Sequence, residues 1–305
     1  MRICSLLPSA TEIAFALGLG DDVVGVTHEC DYPIEAKGKP VIVRSRTDTD
    51  AMSSAAVDEW VRTQAEAQQS VYVIDRNALA AAAPDLIVTQ DLCDVCAVAA
   101  DEVSAACEAL PVTPRLISLV ASSLAEVLRD IDRVGAATGR QAQSRNLVRS
   151  LEERIDKVRR KASAANFRPR VACLEWLDPI YSAGHWVPEM VAIAAGEDIL
   201  ARPAERSSRI DWNTIANRAP EILIIMPCGF DCDRARQEAG LLRSQTGWES
   251  IPAVRANRVF AVDGHSYFNR PGPRLIDGLE ILAHIIHPGI FPENPGPRAL
   301  QRIDC

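Results

Sequence analysis

The chain has 305 residues, of which 48% are hydrophobic and 24% charged, and its formal net charge at pH 7 is −8. This length suggests two globular domains, each large enough to bury its own core. The negative charge and the lack of a polybasic run argue against nucleic-acid binding. No apolar run approaches the roughly 20 residues that a membrane-spanning helix needs, so we expect no membrane insertion.

The start of the chain and its cysteines bear on the cellular compartment. Met1 and Arg2 lead directly into an apolar run without a signal-peptide pattern, so we expect a cytoplasmic protein with reduced thiols. The nine cysteines cannot all pair within the chain, because their number is odd. Free, metal-bound or redox-active thiols therefore fit better than a disulfide framework.

Residues 1–121 alternate short apolar runs with helical patterns, which predicts an N-terminal α/β domain with a parallel sheet. Ser9 and Glu12 form a capping-box pattern, which predicts a helix over residues 10–17. Strands are predicted at residues 23–26, 41–43, 71–74, 86–88 and 116–119.

Residues 122–166 carry no strand signal. Leu124, Val127 and Ile131 recur at helical spacing, which predicts one long connecting helix, or a helix with a break, that Gly135 and Gly139 could bend. The α/β pattern resumes over residues 167–288, with strands predicted at 171–174, 222–226 and 259–262. Residues 289–305 are rich in proline and are predicted to form an irregular tail. The predicted fold is thus two Rossmann-like lobes with parallel sheets, joined by one long helix.

Five cysteines directly follow predicted strands, where open α/β sheets bind their ligands. They are Cys30, Cys93, Cys96, Cys228 and Cys232. Thiolates are soft ligands for zinc, copper(I) and iron–sulfur clusters. The Cys93–Cys96 pair has the C-x-x-C spacing of metal sites and of redox dithiols. We expect Cys30, Cys93, Cys96 and Cys228 to hold an iron–sulfur cluster or zinc, and Cys232 is less favoured.

A set of motifs carries a family resemblance. They are SLLPSATEI at 5–13, LGLGD at 17–21, VVGVT at 23–27, and the helix-to-strand junctions APDLIV at 83–88 and APEILI at 219–224. With these motifs the chain resembles, over residues 1–288, the helical-backbone solute-binding proteins of cobalamin and siderophore ABC importers. It is most similar to the branch labelled cobalamin-binding. The resemblance implies a clamshell fold with a ligand cleft.

Aromatic residues and histidines follow several predicted strands near the implied cleft. The candidate ligand-binding residues are His28, Trp176, Tyr181, His185, Trp186, Phe230, His265 and Tyr267. Because binding pockets are largely apolar with a few polar groups, these rings would suit a large flat ligand such as a corrinoid. His185 or His265 could reach its metal centre.

The resemblance also implies a difference in partner binding. Exported members of the family dock onto permease arginines through a glutamate seven residues before each junction proline. Asn77 and Asn213 occupy these positions here. An amide cannot supply the charge-assisted pairing of a carboxylate, so docking onto an ABC permease is not expected.

The sequence carries no P-loop, G-x-S-x-G, H-E-x-x-H or dinucleotide fingerprint, so we do not expect an enzyme. We expect a cytosolic binding protein whose cleft holds a metal-centred ligand. That ligand is either an iron–sulfur cluster or metal ion on thiolates, or a cobalamin. One alternative is the substrate-binding component of a cobalamin or siderophore ABC importer. Another is a thiol redox sensor with a reversible disulfide.

Overall fold

The computed structural model describes residues 1–90 and 100–304, and the chain divides into two compact units. Unit 1 comprises residues 1–121 and 125–149, and unit 2 comprises residues 122–124 and the chain from residue 150 onward. Each unit contains one six-stranded sheet with helices between its strands. This architecture confirms the α/β class predicted from the alternating sequence pattern.

The strands of unit 1 form a sheet in the order β4-β3-β2-β1-β5-β6. They are β1 (Ile3–Ser5), β2 (Val23–Thr27), β3 (Val41–Ser45), β4 (Tyr72–Ile74), β5 (Leu86–Gln90) and β6 (Arg115–Leu119). All neighbours are parallel except β4, which pairs antiparallel with β3. The predicted parallel sheet thus carries one antiparallel strand at its edge. Val73 of β4 is 39% exposed, and antiparallel strands tolerate such one-sided contact with water.

The helices of unit 1 are α1 (Pro8–Ala16), α2 (Ser54–Glu66), α3 (Arg76–Ala82), α4 (Ala100–Glu108) and α5 (Leu124–Ala137). Helix α1 begins at Pro8, earlier than the predicted start, and its N-cap makes no side-chain hydrogen bond. Proline is favoured in the first helical turn because its missing N–H is not needed there. Ser9 and Glu12 are buried inside the helix, so the predicted capping box does not form.

The connecting segment is helical with a break, which was the second of the two predicted forms. Helix α5 is followed by α6 (Gln141–Ala162) after a break at Gly139, whose φ is +73°. Only glycine adopts this backbone conformation without steric cost, so the helix stops there. A Cβ on Gly135 would lie 2.5 Å from Cβ of Ser144. The glycine therefore permits the two helices to approach closely.

The sheet of unit 2 has the order β12-β11-β10-β7-β8, and β9 pairs with β7. Its strands are β7 (Arg170–Leu177), β8 (Ile180–Ser182), β9 (Glu197–Asp198), β10 (Ile222–Ile225), β11 (Val259–Val262) and β12 (Leu300–Arg302). The central strands β7, β10 and β11 are parallel, whereas β8 and β12 are antiparallel to their neighbours. The sheet is therefore mixed, with its parallel part in the core.

The helices that complete unit 2 are α7 (Val187–Ile193), α8 (Trp212–Arg218), α9 (Cys232–Glu238), α10 (Gly240–Arg243), α11 (Pro252–Arg255), α12 (Gly264–Tyr267) and α13 (Leu275–Ile286). The tail predicted to be irregular supplies β12. Ala299 and Ile303, which flank this strand, are 5% and 2% exposed. Burial of these two apolar side chains explains why the segment pairs with β11 although prolines precede it.

A characteristic junction links α3 to β5 in unit 1. The backbone N–H of Arg2 donates to Asp85 Oδ2 at 2.8 Å, and Arg2 Nε donates to the carbonyl oxygen of Ala82 at 2.8 Å. Ala83 ends the helix with a φ of +40°. The arginine thus satisfies a carbonyl group that the helix end leaves without an intrahelical partner.

The same junction links α8 to β10 in unit 2. The backbone N–H of Arg170 donates to Glu221 Oε2 at 2.9 Å. The Arg170 guanidinium donates twice to the carbonyl oxygen of Ala219, at 3.1 and 2.9 Å, and Ala219 has a φ of +49°. The two units therefore share the local chemistry that starts their central strands.

Within the described residues, every helix is too short or too polar to cross a lipid bilayer.

Candidate functional site

Unit 1 surrounds the thiol of Cys30 with hydroxyl groups beyond the ends of β1 and β2. Cys30 Sγ lies 3.1 Å from Thr11 Oγ1 and 3.2 Å from Thr27 Oγ1, and it accepts a hydrogen bond from the Thr27 N–H at 3.4 Å. Thr11 Oγ1 donates its own proton to Ser5 Oγ at 2.8 Å. The thiol proton thus has Thr11 Oγ1 as an acceptor, and the arrangement suits a neutral thiol in a side chain only 4% exposed.

Only part of the predicted thiolate centre lies within the described residues. A metal bound to Cys30 would displace the thiol proton and its hydrogen bond to Thr11. Cys93 and Cys96 lie outside the described residues. Among residues 1–90 and 100–304, no group of three or more His, Cys, Asp and Glu side chains is arranged to hold a metal ion. The four-cysteine centre stays a prediction.

His28 follows β2 and lies against the neighbouring strands of unit 1. Its Nδ1 is 3.3 Å from the carbonyl oxygen of Val43, and its ring centroid is 6.1 Å from that of Tyr72. Because a carbonyl oxygen only accepts, the proton resides on Nδ1 in this arrangement. The other ring nitrogen, Nε2, lies 3.9 Å from Glu29 Oε1.

Unit 2 places an aromatic stack at the carboxyl end of β7 and just after β10. The ring centroids of Trp176 and Phe230 are 5.2 Å apart, and the Arg234 guanidinium carbon lies 3.7 Å from the Phe230 ring centroid. Phe230 is 4% exposed, whereas Trp176 is half-buried. Tyr181 of β8 pairs across the strands with Trp176. The partly exposed indole of Trp176 thus packs on the buried ring of Phe230, which also carries the guanidinium of Arg234 on its face.

Local capping fixes this stack. Asp231 is the N-cap of α9, and its Oδ1 accepts a hydrogen bond from the Arg234 N–H at 2.8 Å. This bond sets the first turn of α9, so that Arg234, four residues after Phe230, returns over the Phe230 ring. On the other side, Trp176 Nε1 donates to the carbonyl oxygen of Asp178 at 3.2 Å.

Cys228 and Cys232 differ sharply in environment. Cys228 is exposed, whereas Cys232 is 1% exposed and donates from Sγ to the carbonyl oxygen of Ala261 at 3.4 Å. Burial raises the pKa of the Cys232 thiol to about 12, and the nearby carboxylate of Asp263 adds to the shift. Cys232 is therefore a neutral buried thiol at neutral pH, whereas the thiol of Cys228 meets solvent.

His265 and Tyr267 lie on α12, beyond the end of β11. The His265 N–H donates to the carbonyl oxygen of Phe230 at 3.1 Å, which ties α12 to the aromatic stack. Arg270 Nη2 donates to His265 Nε2, so this nitrogen already uses its lone pair. The guanidinium of Arg274 lies 5.9 Å from the Tyr267 ring.

His185 and Trp186 follow the antiparallel strand β8. The N–H of Ala183 donates to the carbonyl oxygen of Cys173, which places this segment beside the middle of β7. His185 has a φ of +55°, and burial, with the charge of Arg206, lowers the pKa of its imidazole. Trp186 is 4% exposed, and its Nε1 donates to the carbonyl oxygen of Phe268 at 2.8 Å. The ring of Trp186 therefore belongs to the core of unit 2.

Sequence comparison decides the family. The profile described as "Periplasmic binding protein" matches residues 3–265 of the chain. The chain belongs to the periplasmic binding protein family. This assignment confirms the resemblance seen in the motifs at residues 5–27 and in the two helix-to-strand junctions.

Two curated relatives match this periplasmic binding protein over nearly its whole length. An uncharacterized ABC transporter substrate-binding lipoprotein, YvrC, of Bacillus subtilis is 27% identical over 297 residues, which cover 96% of this chain and 82% of the relative. A vitamin B12-binding protein of Vibrio parahaemolyticus is 23% identical over 288 residues, which cover 93% of this chain and 88% of the relative. Both names describe binding proteins rather than enzymes.

A solved structure shows the same fold. A periplasmic heme-binding protein from Pseudomonas aeruginosa superposes with a TM-score of 0.72 at 18% sequence identity, covering 100% of this chain and 98% of that chain. At this identity the similarity supports the fold alone. The family assignment and the curated relatives, rather than this structure, favour the importer-type alternative over the thiolate-cluster hypothesis.

The sequence analysis did not single out Arg234, which is the cationic member of the stack in unit 2. The signal was available, because Asp231 is a favourable N-cap and Arg234 follows Phe230 by four residues. Arg270 was also missed. Its contact with His265 spans the turn between α12 and α13, and no periodicity in the sequence reports such a turn.

Proposed function

We propose that this periplasmic binding protein binds a metal-centred tetrapyrrole, with cobalamin as the first candidate and heme as the second. The relatives support the class of ligand, because they include a vitamin B12-binding protein and a substrate-binding lipoprotein of an ABC transporter. A solved heme-binding protein with the same fold supports the second candidate. The role is non-catalytic delivery of the solute to an importer.

The stack of Trp176, Phe230 and Arg234 carries this proposal. Ligand sites of open α/β sheets lie outside the carboxyl ends of the strands. The stack lies at this edge of the sheet of unit 2, with Trp176 the penultimate residue of β7 and Phe230 after β10. Flat macrocycles bind well to aromatic faces, which offer large apolar contact at low entropic cost. Phe230 is buried beneath Trp176 and Arg234, so it supports the two groups that a ligand would touch.

Tryptophan fluorescence during titration with cyanocobalamin and with hemin tests the proposal. The native chain should show saturable quenching. Trp176→Ala should weaken binding roughly 30-fold, since truncating a central aromatic contact costs about 2 kcal/mol. Trp176→Phe should retain most of the affinity because it keeps a ring.

The matched control is Trp60→Ala. Trp60 is also half-buried but lies on α2 of unit 1. This variant should bind like the native chain. Equal affinities in the Trp176→Ala and native proteins would place the ligand elsewhere and contradict the proposal.

The importer role makes a testable prediction about permease docking at Asn77 and Asn213. Each is exposed and is the second residue of its helix, α3 or α8, after an aspartate N-cap. We infer that amides at these positions weaken pairing with permease arginines, in line with the expectation from the sequence. Asn77→Glu/Asn213→Glu should co-sediment more strongly with proteoliposomes of a cobalamin-type ABC permease. Equal co-sedimentation of native and variant chains would contradict this inference.

The thiolate centre on Cys30, Cys93, Cys96 and Cys228, as an iron–sulfur cluster or zinc site, stays a separate prediction. Elemental analysis and an absorption spectrum of protein purified without oxygen check it. The thiol redox sensor predicts instead a reversible disulfide in metal-free protein. The cytoplasmic location also stays a prediction, and cell fractionation checks it.

A further inference from the structure

A pocket on the surface of unit 2 is lined by three arginines. It has a volume of about 190 Å³ and lies where the end of α9, helix α10 and strand β12 meet. Its polar lining consists of Arg236, Gln237, Arg243, Arg302 and Asp304. Among the described residues that line it, the three guanidinium groups outnumber the one carboxylate, so this lining is electropositive.

The arginine charges are not neutralised by neighbours. In the part of the chain that the structure describes, none of Arg236, Arg243 and Arg302 forms an ion pair with a carboxylate. Arg243 Nη2 donates to the backbone carbonyl oxygen of Asp304, which leaves its charge uncompensated. The guanidinium of Arg302 lies 5.7 Å from the Phe260 ring. These contacts position the guanidinium groups of Arg243 and Arg302 but bring no negative charge to compensate theirs.

The positive charge of Arg302 also acts on Arg258, a neighbouring arginine. The pKa of Arg258 is lowered, chiefly by burial, and the charge of Arg302 adds to the shift. An anion in the pocket would offset the charge of Arg302.

The pocket is separate from the aromatic stack. Arg302 pairs with Phe260 near the start of β11, and the N–H of Ile303 donates to the carbonyl oxygen of Val259 at the first residue of that strand. The stack lies at the opposite ends of the strands, where β7 ends and just after β10. The tetrapyrrole site proposed above does not account for these arginines.

We propose that this pocket binds a phosphate group, either of a free phosphate compound or of a phospholipid headgroup. Guanidinium groups present planar pairs of N–H donors that match the oxygens of phosphate, and Gln237 adds an amide donor. A phosphate dianion would compensate two of the three arginine charges. A neutral ligand would leave the arginine charges uncompensated.

Titration of the full chain with inorganic phosphate, followed by isothermal calorimetry at low ionic strength, tests the proposal. The native chain should show saturable binding that weakens with added sodium chloride. Arg236→Gln/Arg302→Gln should weaken phosphate binding by about 100-fold, as roughly tenfold is lost with each charge-assisted hydrogen bond. The matched control Arg160→Gln removes an exposed arginine of α6 in the same unit and should bind like the native chain.

Vesicle co-sedimentation separates the two sources of phosphate. Phosphatidylglycerol vesicles should retain the native chain, and not the double variant, if the headgroup is the ligand. Binding of inorganic phosphate without vesicle retention assigns the pocket to free phosphate compounds. Failure of both assays, or equal losses in the double variant and in Arg160→Gln, would overturn the proposal. Unchanged cobalamin or hemin binding in the double variant would show that the tetrapyrrole site is independent of it.

Discussion

The two units begin their central strands in the same way but end them differently. Arg2 and Arg170 make equivalent bonds to the preceding helix end and to an acidic residue. At the carboxyl ends of the strands, unit 1 buries a thiol among hydroxyl groups, whereas unit 2 stacks two aromatic rings and a guanidinium. The shared part stabilises the fold, and the part that differs is where we propose that the ligand binds.

The difference between the strand ends predicts where apolar binding energy resides. Small hydroxyl side chains offer directional bonds and little apolar area, while indole and phenyl rings offer large area. We therefore expect the stack of unit 2 to dominate affinity for a flat ligand. The hydroxyl-lined thiol of unit 1 is expected to affect stability more than binding.

Phe230→Ala should produce the largest effect. Because Phe230 is 4% exposed, its truncation should lower the free energy of unfolding by about 3–5 kcal/mol and also remove the support of Trp176. Urea denaturation measures the change. Phe167→Ala, at a position 58% exposed, should leave stability nearly unchanged. Similar losses in both variants would contradict the assignment of Phe230 to a packed stack.

The junctions should differ in strength although they share a design. The guanidinium of Arg170 makes two hydrogen bonds to Ala219, whereas that of Arg2 makes one to Ala82. At about 1 kcal/mol for each bond, Arg170→Ala should lower the free energy of unfolding by about 2 kcal/mol and Arg2→Ala by about 1 kcal/mol. Urea denaturation measures both changes. A larger loss of unfolding free energy in Arg2→Ala than in Arg170→Ala would contradict this expectation.

Cys30→Ala should cost about 1–2 kcal/mol of stability, because it removes hydrogen-bonding partners of the buried hydroxyls of Thr11 and Thr27. Cys30→Ser should recover part of this loss, since a hydroxyl can make the same bonds. Thermal unfolding in the presence of a chelator measures both. Equal stability of the native and Cys30→Ala proteins would argue that the thiol serves a ligand rather than the hydroxyl network.

Alkaline pH should destabilise unit 2 through Cys232. The folded pKa is raised from 9.0 to about 12, so the unfolded chain loses this proton first. The stability contributed by the neutral thiol is therefore complete below pH 9 and lost as the pH rises from 9 towards 12. Melting curves between pH 8 and 10.5 should fall less steeply for Cys232→Ala than for the native chain. Cys228→Ala is the matched control, and a flattened profile for it instead would contradict this account.

The sequence reports most of the fold through apolar runs and turns. Strands β10 and β11 lie within one residue of their predicted bounds, because Ile222 to Ile225 and Val259 to Val262 are continuous apolar runs. The edge strands β8, β9 and β12 were not predicted. They have only two or three residues each, and their pairing depends on the neighbouring strand rather than on their own pattern.

The candidate site was harder to predict than the fold. The strand ends predicted that Trp176 and Phe230 lie near one cleft, since the carboxyl edge of a sheet follows from topology. The two rings are in contact in unit 2, and their part in ligand binding stays a prediction. The burial of Trp186 and Cys232 depends on how α7 and α9 pack, and spacing does not encode it. Gly139 marked the break of the connecting helices in advance, but whether the helix bends or stops depends on its φ.

Calorimetric titration of the native chain with cyanocobalamin and with hemin, side by side, tests the central claim most directly. We predict saturable one-to-one binding of at least one of them with micromolar or tighter affinity, weakened roughly 30-fold by Trp176→Ala and unchanged in Trp60→Ala. Lack of saturable binding to both would contradict the assignment of a tetrapyrrole to this periplasmic binding protein.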